Sequence, residues 1–275
     1  MTPNTLTTLA PGIHRIIAPN PGMMTGPGTN TYLVGDSSIA VIDPGPLIEE
    51  HVDNIVAQSP GPIEWILVTH THPDHSPAAM RLKQLTGAKV LGMTHGQDDG
   101  HQDLRFRSDQ EISDLERLYS DEFSLLVLHT PGHASNHLCY LHEESGYLFT
   151  GDHIMNGSTV VINPPDGDML DYLESLEKLK SFDITHLAPG HGDVIDRPFD
   201  AVDWIIEHRL EREEKIIGRL TENPGKTLSE LVVFAYDEVD SRLHAWAERS
   251  LLAHLIKLEK ENRAQRIEEC WSILQ

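Results

Sequence analysis

The sequence has 275 residues, which is enough for one large two-layer domain and a small second one. Its formal net charge is −22, and the acidic excess is concentrated in residues 1–200, which contain 10 Lys and Arg against 28 Asp and Glu. Proteins that bind nucleic acids neutralise phosphates with Lys and Arg, so this charge argues against DNA as a partner and allows RNA only through a local basic groove.

The first half of the chain alternates short apolar runs with turns, which is typical of β-strands. Two strands are predicted at residues 31–34 and 39–42, followed by a helix at residues 50–58 and a strand at residues 63–68. Further strands are predicted at residues 90–91, 124–128, 137–141 and 147–150, a helical stretch near residues 112–118, and a loop at residues 155–170. Strands separated by helices, and then adjacent strands, favour two mixed sheets with helices outside.

The character of the sequence changes after about Pro198, where strand patterns give way to helices. The helices are predicted at residues 201–220, 228–239 and 244–261. We therefore expect a domain boundary in or near the first of them. The expected domains are residues 1–200 and a smaller, mostly helical domain at residues 201–275.

One short segment carries four side chains that are able to bind a metal. The strand at residues 65–69 leads directly into the motif HTHPDH, which contains His70, His72, Asp74 and His75. In extended backbone, His70 and His72 point to the same side. The turn that begins the next helix lets Asp74 and His75 point back from a second direction. The segment can therefore supply two ligands to each of two neighbouring metal sites.

Three more candidate ligands follow predicted strands and lie on glycine-containing turns. They are His133 in TPGHA, Asp152 in TGDH and His191 in PGHGD. Such turns bring side chains to the edge of a sheet, where clefts form. Imidazole and carboxylate suit Zn²⁺, and Mn²⁺ and Fe are also compatible with these ligands. Of the 17 His residues, 12 lie outside this pattern, so the prediction depends on the joint spacing of the seven residues.

The full pattern, over roughly residues 28–195, resembles the metallo-β-lactamase superfamily. The resemblance implies an α/β fold, an αββα sandwich, and a hydrolase that holds two metal ions. The ligand sets that it implies are His70, His72 and His133 for the first metal, and Asp74, His75 and His191 for the second, with Asp152 bridging them.

A shared water explains how two such metals catalyse hydrolysis. Two divalent ions ~3.5–4 Å apart lower the pKa of the water towards neutrality, and the bridging hydroxide attacks without a Ser or Cys nucleophile. Asp74 would also orient the hydroxide, which makes it the candidate catalytic residue. In the superfamily the position of Asp43 often supports the metal-binding loop. His137 and His153 lie beside ligands and are candidates for supporting them or for donating a proton, the alternative being that each is a packed or solvated side chain.

Stretches at both ends of the chain resemble the lactamase-beta-2-like branch of this superfamily. They are NPGM and GTNTYLVG within residues 20–35, and KTLSEL and LLAHLIKLEK within residues 226–260, which look like a winged-helix-like tail. Animal members of the branch are similar to endoribonucleases that cut single-stranded RNA. Other relatives, including glyoxalase-II-like and polyketide-associated members, hydrolyse thioesters. The same two-metal site serves both reactions, so the ligands alone leave both open.

Charge favours a small acyl thioester or ester as substrate, with single-stranded RNA as the alternative. The tail has 11 Lys and Arg against 15 Asp and Glu, so we expect it to wall the active site rather than to bind DNA. β-Lactamase activity is not expected, because the residues after His191 contain no nearby Lys or Arg to pair with a drug carboxylate. The third hypothesis, a non-catalytic binding protein with this fold, is disfavoured by the intact ligand set.

The chain lacks the sequence features of secreted and membrane proteins. Its first basic residue is Arg15, and it has neither the basic start nor the apolar run of a secretory signal. No stretch approaches the ~18 apolar residues that span a bilayer. Cys139 and Cys270 lie far apart and are expected to be reduced thiols. We therefore expect a cytoplasmic protein with no membrane partner, and the oligomeric state stays open.

Overall fold

A computed structural model of the chain describes residues 2–95 and 100–274. The first sheet has six strands in the order β1-β2-β3-β4-β5-β6, of which β1 to β4 are antiparallel and β4 to β6 are parallel. Its strands are β1 (Thr7–Ala10), β2 (Ile13–Ile17), β3 (Asn30–Val34), β4 (Ile39–Ile42), β5 (Ile63–Leu67) and β6 (Lys89–Leu91). The helices α1 (Glu49–Gln58) and α2 (Ala79–Thr86) make the two crossovers between the parallel strands.

The second sheet has five strands in the order β11-β10-β9-β8-β7. Its strands are β7 (Arg117–Tyr119), β8 (Ser124–His129), β9 (Leu138–His142), β10 (Tyr147–Gly151) and β11 (His186–Pro189). All pairs are antiparallel except β10 and β11, which the helix α3 (Met169–Leu179) connects in parallel.

The two sheets pack face to face and carry helices on their outer faces. In β8, Leu125 and Val127 belong to an apolar cluster shared by both sheets, whereas Leu126 and Leu128 belong to a cluster with α3. This alternation follows from the two-residue period of a strand, and a strand buried on both faces is apolar throughout. On the first sheet, α1 and α2 cover the other face through residues such as Val52 and Leu82. The αββα sandwich predicted from the sequence is confirmed.

The C-terminal residues form a small unit with its own apolar cluster. Its elements are α4 (Pro198–Glu222), β12 (Lys226–Thr227), α5 (Leu228–Ala235), α6 (His244–Lys260), β13 (Ala264–Ile267) and β14 (Cys270–Ile273). The three strands form a sheet in the order β12-β14-β13. Thr227 and Glu230 begin α5 with a capping box, in which each side chain satisfies a backbone N–H of the other. The sequence analysis predicted the helices of this unit but none of its three strands, β12, β13 and β14.

The long helix α4 contributes to the cores of both units. Val202 and Ile205 near its start pack in the cluster beneath the second sheet, and Ile216 and Leu220 near its end pack in the C-terminal cluster. The predicted boundary after residue 200 therefore lies within the first turn of a shared helix, and it stays a prediction.

Most of the predicted elements of the sheets are confirmed to within a residue or two, but the helical stretch near residues 112–118 is wrong. Leu115 has a φ of 63°, which is left-handed and incompatible with a continuing helix. Its backbone N–H bonds to the carbonyl of Val127 at 2.8 Å, so the segment pairs with β8 instead.

In residues 2–95 and 100–274, no helix is both long and apolar enough to cross a membrane.

A buried ion-pair cluster joins α4 to α6 and gives a stability prediction. The Glu213 carboxylate lies 2.8 Å from Lys257 Nζ and 3.0 Å from Arg263 Nη1. Removing one partner of a buried pair leaves an uncompensated charge, so Glu213→Ala is expected to lower the free energy of unfolding by about 3–5 kcal/mol. Urea denaturation measures this change.

The neighbouring Glu214 is the matched control. It also lies near Arg263, at 3.6 Å, but its side chain is 74% exposed, so Glu214→Ala should change stability by less than about 0.5 kcal/mol. Burial by itself would raise the pKa of Glu213, but the nearby His254, at 3.7 Å, and hydrogen bonds from Lys257 outweigh it and lower the pKa to about 2. The contribution of Glu213 to the free energy of unfolding should therefore be complete above pH 4.5 and be lost as the pH falls towards 2. Equal losses of stability in Glu213→Ala and Glu214→Ala would contradict a stabilising role for the buried ion pairs of Glu213.

Candidate metal centre

Three imidazole nitrogens meet at the edge of the sandwich. His72 Nδ1 lies 3.0 Å from His70 Nε2 and 3.0 Å from His133 Nε2. His70 and His72 follow β5, and His133 follows β8, so neighbouring strand ends of the two sheets bring them together. The three nitrogens form a group that could hold a metal ion.

The hydrogen bonds on the far side of each ring indicate which nitrogens carry lone pairs. His133 Nδ1 donates to the carbonyl of Val161 at 2.7 Å, so its Nε2 is unprotonated in the neutral ring. Thr69 Oγ1 donates its one proton to Asp43 Oδ2 at 2.7 Å, so it accepts from His70 Nδ1 at 3.0 Å. The Nε2 of His70 therefore also carries a lone pair. His72 Nδ1 carries at most one proton, and that proton can bond to only one of the two lone pairs, on His70 Nε2 or on His133 Nε2. A cation among the three nitrogens can bind both lone pairs at once.

A second group combines two imidazoles with two carboxylates. His191 Nε2 lies 3.1 Å from Asp74 Oδ2 and 3.3 Å from Asp152 Oδ1, and His75 Nε2 lies 3.3 Å from the same Asp152 oxygen. Asp152 follows β10 and His191 follows β11. Among the residues that the structure describes, the buried atoms His75 Nε2, His191 Nε2 and Asp152 Oδ1 have no hydrogen-bond partner.

The outer nitrogens of these rings are also held by acceptors. His75 Nδ1 donates to Asp43 Oδ2 at 2.8 Å, and His191 Nδ1 donates to the carbonyl of Gly28 at 3.2 Å. The inner Nε2 atoms of the neutral rings therefore point lone pairs at carboxylates, an arrangement that needs either protons or a metal ion. These unpartnered atoms fit a divalent cation.

Asp152 lies between the two groups. Its Oδ1 faces His75 and His191, and its Oδ2 lies 3.9 Å from His133 Nε2 in the first group. Gly190 leaves room for this carboxylate, since a Cβ at that position would lie 2.6 Å from Asp152 Oδ1. The structure thus brings all seven predicted ligands together, and their role as ligands stays a proposal.

Asp43 ties the two groups to the sheet. It is buried at the end of β4 and accepts from the backbone N–H and the hydroxyl of Thr69, both at 2.7 Å, as well as from His75. One carboxylate therefore orients a ligand of each group, either directly or through Thr69. The sequence analysis singled out Asp43 but missed Thr69, whose local sequence carries no sign of this role.

His137 and His153 lie beneath the ligands. Both are fully buried, and His137 stacks on His70 with ring centroids 5.0 Å apart. His153 packs edge-on against Tyr172 at 5.1 Å. Neither residue lines the cavity beside the ligands.

Hydrogen bonds between loops also hold the site, and the sequence analysis did not find them. Asn136 Nδ2 donates to Thr71 Oγ1 at 2.9 Å, and Thr71 Oγ1 donates to Gln102 Oε1 at 2.6 Å. Asp166 accepts from both Gln102 and Ser135. This chain of contacts joins the loop of His72 to the loop of His133.

A cavity of about 220 Å³ opens beside the ligands His72, Asp74, His133 and Asp152. Its other walls come from several parts of the chain, including Met24, His101, Met155, Val161, Trp246 and Arg249. The last two belong to α6, so the C-terminal unit walls the cavity. The sequence analysis did not identify these residues.

The two groups differ in how they hold protons in the metal-free protein. Burial lowers the pKa of His70 well below its usual value and that of His72 to about 3. Burial would also lower the pKa of His191, but the charge of Asp152 and the close approach of the Asp152 and Asp74 carboxylates raise it to about 10. The second group therefore holds a proton at neutral pH that a metal ion must displace.

Metal uptake is therefore expected to release at least one proton per chain at pH 8, and metal affinity should fall as the pH is lowered. Titration calorimetry of the metal-free protein with Zn²⁺, in two buffers of different protonation enthalpy, measures the release. A His191→Ala variant should release fewer protons, whereas His186→Ala, outside both groups, should behave as the unmodified protein. Equal apparent enthalpies in the two buffers would contradict the prediction.

Comparison with known families agrees with this architecture. A model described as the metallo-β-lactamase superfamily matches residues 24–191, and one described as the β-lactamase associated winged helix domain matches residues 227–271. The chain therefore belongs to the metallo-β-lactamase superfamily. The predictions of the family and of an enzyme of this class are confirmed.

Individual proteins are similar over most of the chain. A β-lactamase-like protein 2 homolog of Drosophila melanogaster is 31% identical over 94% of this chain and 91% of its own length. An atrochrysone carboxyl ACP thioesterase of Aspergillus chevalieri is 31% identical over 79% of this chain and 68% of its own. The crystal structure of a metallo-β-lactamase family protein from Thermus thermophilus has a TM-score of 0.80, covers 97% of this chain and 100% of that one, and is 21% identical, so it shows the fold alone.

Proposed function

We propose that this chain hydrolyses a small acyl thioester or ester with the help of two zinc ions. The observation that carries the proposal is the cavity of about 220 Å³ beside the ligands, with Met24, Met155 and Val161 among its walls. Pockets for drug-sized ligands are usually about 300–1,000 Å³, so this space suits a small acyl group. Burial of apolar surface against these walls favours binding of such a group. The similarity to a thioesterase supports the same choice.

The proposed ligand sets follow the two groups of side chains. One zinc ion would be held by His70, His72 and His133, and the other by Asp74, His75 and His191, with Asp152 between the two groups. Mn²⁺ and Fe are compatible alternatives for these imidazole and carboxylate donors. Such ions would supply Lewis acidity, which favours attack on the substrate carbonyl and ionisation of the attacking water.

Asp74 is the proposed catalytic residue in addition to being a ligand. It lines the cavity, and its side chain is 26% exposed. Burial by itself would raise the pKa of Asp74, but the neighbouring charge of His75 outweighs it and lowers the pKa. The carboxylate is therefore ionised at neutral pH, so it can accept a hydrogen bond from the attacking hydroxide and orient it. Asp43 would fix the ligands through its hydrogen bonds, His137 by stacking on His70, and His153 less directly, by packing against His137.

Cleavage of single-stranded RNA is the alternative. The face of α6 that carries Trp246 and Arg249 lines the cavity, while Leu251 and Leu255 are buried in the C-terminal cluster, so α6 has little surface left for a nucleic acid groove. The chain has 21 Lys and Arg against 43 Asp and Glu, which opposes binding to phosphates. We therefore consider an acyl compound the best candidate substrate, RNA the second, and DNA the last. A cytoplasmic location, in keeping with the two free thiols, is part of the proposal.

A substrate screen tests the proposal. Zinc-loaded protein is incubated with acyl-CoA and acyl-glutathione thioesters, and with a labelled single-stranded RNA. Turnover of a thioester that chelator abolishes and zinc restores would support the proposal. Chelator-sensitive cleavage of the RNA alone would make the alternative the function of this site.

A further inference from the structure

Two residues of the C-terminal unit form a paired wall of the cavity. Trp246 and Arg249 stand three residues apart on α6, a spacing that puts them on the same face of a helix. The Arg249 guanidinium carbon lies 5.4 Å from the centroid of the Trp246 ring, which is within the range of a cation–π contact. Trp246 is 44% exposed although it is a large aromatic residue, and its exposed side borders the cavity.

The charge of Arg249 is not neutralised by an ion pair within residues 2–95 and 100–274. Its polar contact there is with His101 Nε2, at 3.4 Å across the cavity wall. Other basic residues nearby on α6 are paired, Lys257 with Glu213 and Lys260 with Asp168. A guanidinium that faces a cavity in an otherwise acidic molecule is suited to an anionic ligand.

The position of this wall is fixed by the packing of α6. Leu251 and Leu255 are buried in the C-terminal cluster, and Ala253 is buried in the cluster beneath the second sheet. The ion pair between Lys260 and Asp168 joins the end of α6 to the start of α3. The backbone at Arg249 is therefore in place before a ligand arrives, and the contact of its guanidinium with Trp246 restrains the side chain, which lowers the entropic cost of binding.

We propose that Arg249 binds an anionic group of the substrate while Trp246 packs against the part next to it. This inference rests on the proposed thioester hydrolysis and narrows its substrate class to acyl thioesters with a carboxylate or phosphate. The scissile carbonyl lies at the ligand wall, the apolar spacer lies along Met24 and Val161, and the anion lies at Arg249. The anion has two possible sources. It is either a carboxylate of the acyl group or a phosphate of the thiol carrier.

Matched thioesters distinguish the two sources. Each acyl group is prepared in a neutral form and with a terminal carboxylate, and each form is joined to N-acetylcysteamine, which has no phosphate, and to CoA. A preference for the carboxylate form on N-acetylcysteamine assigns the anion to the acyl group. A preference for CoA that does not depend on the acyl charge assigns it to the carrier.

The Arg249→Gln variant tests the role of the side chain. It is expected to lower the ratio of kcat/KM for anionic over neutral substrates by about 10- to 100-fold, mainly through KM, since a hydrogen bond to a charged group is lost. Arg249→Lys should recover part of the ratio, because Lys keeps the charge but not the planar fork. Arg266, which lies 5.5 Å from the ring of Trp271 in the small sheet, provides a matched control, and Arg266→Gln should leave the ratio unchanged.

A binding measurement separates this inference from the proposed function. Uncleavable thioether analogues, neutral and carboxylated, are titrated while tryptophan fluorescence is followed, with Trp246→Phe identifying the responding ring. Tighter binding of an anionic analogue that Arg249→Gln abolishes supports the inference even if no thioester is cleaved. Thioester cleavage with the same anionic preference in Arg249→Gln as in the unmodified protein would overturn the inference and leave the proposed function standing.

Discussion

Replacing Asp152 with Ala is expected to lower kcat/KM by about 10³-fold, because correctly held metal ions contribute several kcal/mol of transition-state stabilisation. Asp152 faces both groups of ligands, with Oδ1 3.3 Å from two imidazoles and Oδ2 3.9 Å from a third. Without this carboxylate, the lone pairs of His75 and His191 lose the negative charge that favours a cation beside them. Metal analysis of the variant should therefore show a reduced zinc content.

Asp193→Ala is the matched control for this prediction. Asp193 is also acidic and lies two residues after His191, but its side chain is 67% exposed, forms an ion pair with Arg15 at 3.7 Å, and belongs to neither group of ligands. The control should retain both its zinc content and its activity. If Asp152→Ala bound zinc and turned over substrate like the unmodified protein, the proposed centre would be wrong.

Adding one methyl group at Gly190 is expected to damage the same site without removing a ligand. A Cβ there would lie 2.6 Å from Asp152 Oδ1 and 2.7 Å from His75 Cε1. The backbone cannot easily give way, since Gly190 donates to the carbonyl of Gly151 at 2.8 Å and accepts from the N–H of Asn30 at 2.8 Å. The ligands must move instead, and a displacement of about 1 Å costs on the order of 10² in rate.

Kinetics and zinc affinity of Gly190→Ala measure this effect, and Gly218→Ala is its control. Gly218 lies within α4, and a Cβ there would meet nothing within 4 Å. The control should gain about 0.5–1 kcal/mol of stability, as expected for Ala in a helix, and keep its zinc affinity. Unaltered zinc binding by Gly190→Ala would indicate that the space beside Asp152 is not needed for a metal.

The arrangement of the ligands was predictable because the information is local. Four of them follow a single strand within six residues, and the other three each follow a strand on a glycine-containing turn. The strands that carry them end at the same edge of the sandwich, so packing of the two sheets brings the side chains together. The sandwich follows in the same way from strands such as β8, whose apolar residues alternate between the two faces.

The remaining parts of the site depend on tertiary packing that no local pattern encodes. Arg249 reaches the cavity only because α6 docks against the sandwich, 58 residues beyond the last ligand, His191. Thr69 matters because of the tautomer that it imposes on His70, which requires the position of Asp43. Leu115 adopts a left-handed conformation next to β8, although its neighbours have the composition of a helix.

The shared helix α4 also determines how the molecule should come apart on heating. The first half of α4 packs in the apolar cluster of the sandwich, and its second half packs in the cluster of the small unit. If one cluster melts and α4 unfolds with it, the other cluster loses the residues that α4 contributes. We therefore expect the two units to unfold together, with a single calorimetric peak, in contrast to multi-domain proteins whose domains unfold separately. Loss of the cavity wall formed by α6 and loss of the proposed metal centre would then share one melting temperature.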